Sequence, residues 1–219
     1  NMSFDYSYTY KNMHFFGEAA IDKRNNKAFV NGLLVSVDPR VDLSIVQRTI
    51  SKGYQSINGN AFTENTFPTN ETGIYAGVSI RPAIGWKIDA YADFYKFPWL
   101  KFLVDAPSYG KDFLAQVTFT PNRQVEIYTR FKTETKQANQ SDNTTVTNFL
   151  VNLPKQNWRT QISYKLNTSF TIRNRVELLW FDNNGVNKAN GFLTFFDFMY
   201  KPMLKPLSAV LRLQYFETD

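Results

Sequence analysis

The chain has 219 residues, 43% of them hydrophobic, 16% aromatic and 20% charged, with a formal net charge of +6 and no cysteine. That length suits one large domain and gives no argument for two. The missing cysteine excludes disulfides, thiolate metal sites and cysteine nucleophiles. No run of about 18 apolar residues is present to cross a bilayer as a helix, which leaves strands as the only route into a membrane.

In chain order, polarity alternates with a period of two over twelve runs: 2–10, 13–22, 27–37, 41–51, 72–82, 86–96, 111–121, 125–136, 155–166, 170–182, 190–202 and 207–218. A period of two predicts strands with two unlike faces, and the runs are roughly twice as long as ordinary soluble strands. Short connections, Lys11 and Asn12, Asp38 to Arg40, Ala83 to Gly85, Asn122 to Gln124, Asn167 to Ser169 and Met203 to Pro206, have turn composition. They alternate with longer links at 23–26, 52–71, 97–110, 137–154 and 183–189, the segment Gln137 to Thr147 reading as a polar loop. Short turns at one end and long loops at the other is the plan of an outer-membrane barrel, with the short end periplasmic.

The alternation is clearest from Trp86 to Tyr95. Trp86, Ile88, Ala90, Ala92 and Phe94 fall on one face, and Lys87, Asp89, Tyr91, Asp93 and Tyr95 on the other. Carried through the hairpins, this parity gives an apolar face interrupted only by residues such as Asn31, Gln47 and Asn174. The charged face holds Arg48, Arg81, Lys87, Asp89, Asp93, Glu126, Arg130, Lys132, Arg159, Arg173, Arg175, Glu177, Asp197 and Arg212. A charge against lipid is costly, so the expected fold is a transmembrane antiparallel up-and-down β-barrel whose lumen these fourteen residues line.

Aromatics of the apolar face form two belts. Tyr10, Trp86, Phe119, Tyr164 and Tyr200 stand by the short turns, and Phe94, Phe131, Trp158, Trp180 and Tyr215 towards the long loops. With the short turns in the periplasm, both ends of this sequence fall on the outer side. Residues 1–219 are therefore expected to be one barrel domain incomplete at both ends, part of a barrel of about fourteen or more strands. The sequence opens in strand from Met2 without a basic, apolar leader, so any signal peptide is expected upstream or already removed.

The runs SFDYSYTY from Ser3, HFFGE from His14, VDLS from Val41 and NGNAF from Asn58 resemble a family of Bacteroidota outer-membrane barrel proteins. So do NETGIYAG from Asn70, YADFYKFPWLKF from Tyr91 and VDAPSYGKDF from Val104. The likeness covers most of residues 3–132 and is weaker beyond. Members often carry an N-terminal helix-hairpin-helix module; this chain has none, so no DNA binding carries over. The resemblance implies a fold and a location, and supplies no reaction.

Chemistry is sparse. The sole histidine, His14, lies by a short turn, away from the long loops where outer-membrane enzymes assemble their sites, and reads as a polar turn neighbour. No His or Cys cluster offers a metal site, and no cofactor is expected. Asp89 and Asp93, with Lys87 near, read as ion-pair partners before an acid and base. Turn parity sets Arg159 opposite Glu177 and Asp197 opposite Arg212, leaving Arg48, Arg81, Arg173 and Arg175 with fewer partners. Basic residues alternate with apolar ones and do not form one exposed stripe, which argues against nucleic acid. Phe97, Trp99, Phe102 and Tyr109, punctuated by Pro98 and Pro107, predict an ordered loop.

The expected function is non-enzymatic, porin-like passage of small anionic solutes through a basic lumen. The alternative is a structural or scaffold subunit of a larger outer-membrane complex, its lumen closed or plugged. Expected partners are outer-membrane lipid, lipopolysaccharide and other outer-membrane or lipoprotein subunits. The location expected is the outer membrane, with the long loops extracellular.

Overall fold

The computed structural model describes residues 1–56, 59–140, 146, 148–183, 187–203 and 205–219. Among them every regular element is a strand: β1 (Met2–Tyr10), β2 (Met13–Ile21), β3 (Lys27–Asp38), β4 (Val41–Ile50), β5 (Glu71–Ile80), β6 (Trp86–Phe97), β7 (Ser108–Phe119), β8 (Val125–Asn139), β9 (Leu150–Lys165), β10 (Phe170–Asn183), β11 (Asn187–Tyr200) and β12 (Ala209–Thr218). They lie in one up-and-down sheet in sequence order, β1 to β12, and the sheet stays open at those two outer strands. Both edge strands are exposed along their whole lengths.

The turns explain the register. Lys11 (φ 52°) and Gly85 (φ 80°) take the left-handed backbone that tight reversals need. Asn122 and Asn167 make the same Asx turn. Asn122 Oδ1 accepts from the amides of Gln124 and Val125 at 2.8 and 3.0 Å, and Asn167 Oδ1 from those of Ser169 and Phe170 at 2.8 and 2.9 Å.

Three strands start three or more residues earlier than the alternation indicates, β7 at Ser108, β9 at Leu150 and β11 at Asn187. Pro154, near the start of β9, lies beyond the last β9–β10 pair, Phe181 with Lys155, where that partner asks for no N–H. The link 183–189 is mostly strand, since β10 pairs with β11 out to Asn183 and Asn187; its residues 184–186 lie outside the described residues. Parts of the predicted polar loop (141–145 and 147), Asn58 of the NGNAF run and Leu204 of the last turn also lie outside them.

The chain forms two compact units that cut across the strands. The first comprises Asn1–Ser79, Tyr91–Phe113 and Glu134–Leu153; the second comprises Ile80–Ala90, Leu114–Thr133 and Pro154–Asp219. Both bury charged groups while large apolar side chains stand exposed, and the first also buries Ile50, Phe97 and Val104. In the first, Arg48 and Glu71 have 0% exposure while Ile45 is 43% exposed; in the second, Asp197 has 1% while Ile162 has 44%.

The polar residues on the apolar face of the first unit satisfy one another sideways. Tyr6 Oη donates to Asn31 Oδ1 (3.0 Å), Asn31 Nδ2 to Gln47 Oε1 (3.0 Å) and Gln47 Nε2 to Thr49 Oγ1 (2.7 Å). Gly17 stands between Tyr6 and Asn31 in the register, and a Cβ there would lie 2.6 Å from the Tyr6 hydroxyl. Its bare backbone lets the phenol lie across β2. In the second unit Asn174 Nδ2 donates to the Phe195 carbonyl (3.1 Å).

Candidate functional site

The charged face carries whatever chemistry this chain has. In the first unit it centres on Arg48, near the end of β4. Its Nε meets Glu71 Oε1 at 2.5 Å, and Nη1 and Nη2 grip Asp93 Oδ1 and Oδ2 at 2.9 and 3.0 Å. Cross-strand reading left Arg48 short of partners; the structure gives it two carboxylates, one at the first residue of β5 and one on β6. Asp93 thus pairs with Arg48, while Lys87 takes Asp89 (2.9 Å) in the second unit. Gly73 makes room for the guanidinium, because a Cβ there would stand 2.7 Å from Arg48 Cζ.

The connection between β4 and β5 folds over this cluster. Glu71 accepts from the backbone amides of Glu64 (3.0 Å) and Asn65 (2.9 Å), so one buried carboxylate holds both Arg48 and the strap. Phe62 of the strap sits 5.3 Å from the Arg48 guanidinium and meets Tyr75 edge-on at 5.4 Å. Lys136 on β8 reaches Glu64 (3.3 Å) and Glu134 (2.5 Å). Asn70 (φ 55°) ends the strap by bracketing Trp99: its Oδ1 accepts from the Trp99 amide (2.9 Å) and its Nδ2 donates to the Trp99 carbonyl (2.8 Å). The 98–107 connection is therefore tied to the strap. Of the four aromatics expected in that loop, Phe97 ends β6, buried, and Tyr109 belongs to β7.

In the second unit the two pairs expected from parity are present. Arg159 binds Glu177 through two bonds (2.8 and 2.9 Å), and Arg212 binds Asp197 through two (2.6 and 2.9 Å). Arg175 has neutral partners. Its Nε and Nη2 donate to Gln161 Oε1 (2.9 and 2.6 Å), and its guanidinium lies 5.0 Å from the Phe195 ring. Arg212 faces that ring at 4.2 Å, a contact alternation does not reveal. The Nε atoms of Arg130 and Arg173 are buried without a hydrogen bond. This face thus keeps cationic donors beyond those its carboxylates consume. Arg81 and Lys132 have interactions of their own, and Glu126, by a short turn, is exposed.

Part of each aromatic belt forms contact pairs. Trp86 meets Phe119 at 4.5 Å and Phe170 meets Tyr200 at 4.7 Å beside the short turns; Phe94 meets Phe113 at 5.3 Å and Phe192 meets Tyr215 at 6.1 Å towards the long loops. Trp158 donates to Thr129 Oγ1 (2.8 Å). Tyr10, Tyr164, Phe131 and Trp180 are exposed on the same face. His14 binds Thr9 Oγ1 through Nδ1 (2.7 Å) and stacks on Phe16. No cluster of three or more metal-ligating residues occurs among the described residues. No protein-family model and no curated protein matches the sequence.

Proposed function

We propose that this chain is part of a bacterial outer-membrane β-barrel of the Bacteroidota type, its apolar face against lipid and its charged face around a wetted interior. In this reading it is not an enzyme, and it passes small anionic solutes. The observation that carries the reading is the burial pattern, with Arg48, Glu71 and Asp197 buried and Ile45, Trp158 and Ile162 exposed. Water against the apolar face would leave those large side chains exposed at a cost, whereas lipid on that face favours their exposure. The surplus guanidinium donors at Arg130, Arg173 and Arg175 support an anion preference.

The test is single-channel recording in planar bilayers. Steady anion-selective current should fall when Arg173 and Arg175 are both changed to Gln. The strap over Arg48 favours a second reading, a structural subunit with a closed lumen. Silent membranes, together with a stoichiometric envelope partner in pull-downs, would select that reading.

A further inference from the structure

A groove of about 390 Å³ opens on the apolar face of the second unit, where β8 to β11 approach the long-loop end. Its floor is Phe131, Pro154 and Trp180, one from each of three strands. Both rings are exposed, and the volume falls in the range of small-molecule sites. The rim is polar by register. Trp180 stands opposite Gln156 on β9 and Asn190 on β11, and Asp182 stands opposite Lys188. The Asn190 amide is oriented by a bond to Asp219 Oδ2 (3.0 Å).

We infer that this groove binds the sugar head of an outer-leaflet glycolipid. The inference builds on the membrane reading above, which sets this rim at the outer surface. Flat exposed rings suit the apolar face of a pyranose, and the amides of Gln156 and Asn190 offer both donors and acceptors to its hydroxyls. Asp182 and Asp219 against the one ammonium of Lys188 leave the rim no excess of positive charge, so its contacts fall to the sugar and not to a phosphate. Away from the rim the same face continues as Leu178, which stands opposite Trp158 on β9 and Phe192 on β11. An occupant with hydrocarbon beyond its sugar covers both parts; a free sugar covers one.

The full chain is reconstituted in phosphatidylethanolamine vesicles with and without lipid A, floated on a density gradient, and then released for native mass spectrometry. One retained lipid A per chain is expected. Trp180→Ala combined with Gln156→Ala should lower occupancy about tenfold, the scale of losing one stacked ring and its hydrogen bonds. Trp180→Phe, which keeps a ring, and Trp86→Ala, in the opposite belt, should both retain the lipid. Equal retention by the double variant, or phosphatidylethanolamine held as well as lipid A, overturns the glycolipid site. A wild-type chain that fails to float overturns the membrane reading instead, so the two failures are told apart.

Discussion

A guanidinium with no exposed surface is tolerable only where carboxylates replace the water it has lost, and Arg48 has two. Taking away one partner of such a buried group leaves charge without compensation, typically a loss of about 3–5 kcal/mol. Glu71→Ala is expected to lose stability on that scale, because it frees the strap amides of Glu64 and Asn65 as well as Arg48. Denaturant unfolding of refolded protein, with Lys87→Ala as the exposed-pair control, measures it; the Lys87–Asp89 pair is half-exposed, so its removal should shift stability by about 1 kcal/mol or less. The residues also mark how far the sequence reaches. Arg159 with Glu177 and Arg212 with Asp197 are legible, because short turns carry the register from one strand to the next. Arg48 is not, because a long connection breaks that count between β4 and β5 and one partner lies two strands away, on β6.

Among the elements, the connections hold most of what alternation leaves out. The β2–β3 link is built on Asp22, whose Oδ1 accepts from the amides of Arg24 (2.7 Å) and Asn26 (2.9 Å) and whose Oδ2 accepts from Asn26 Nδ2 (2.9 Å) and, in the strap, the Gln55 amide (3.3 Å). Burial raises its pKa, but the Asn26 side chain and the surrounding amides outweigh burial and hold it below the usual carboxylate range. With the folded value depressed, the link's contribution is complete above the ordinary carboxylate pKa and disappears as pH falls through the lowered one. Hydrogen exchange at the Arg24 and Asn26 amides should therefore be protected near neutrality and lose protection in acid; in Asp22→Asn the acid step should vanish. Replacing strap residues 59–68 by a short Gly-Ser linker should raise single-channel conductance, since the strap lies over Arg48 and Glu71. Unchanged conductance would place the limiting constriction elsewhere. Strand existence was plain from the period of two, yet the early starts of β7, β9 and β11 were not, since polar residues and a proline look alike in a loop and at a strand end.

At the scale of the whole molecule, the question is what solvent meets the apolar face. The exposure of Ile45 is compatible with water or lipid taken alone, and the two predict opposite responses to charge. Ile45 lies mid-strand on β4, opposite Leu33 on β3. In a chain whose apolar face meets water, Ile45→Arg is an exposed surface change, expected to stay within about 0.5 kcal/mol. Against hydrocarbon the same arginine costs roughly 2–4 kcal/mol near the midplane and less towards either interface. Folding titrations into phosphatidylcholine vesicles should show the larger loss at Ile45 and a smaller one for arginine at Tyr10, beside the short turn. That depth dependence distinguishes lipid from a generic packing defect, because the membrane penalty follows distance from the midplane and a packing defect follows local contacts. A flat response within experimental error at both positions would mean that water reaches Ile45, and the barrel reading would fall with it.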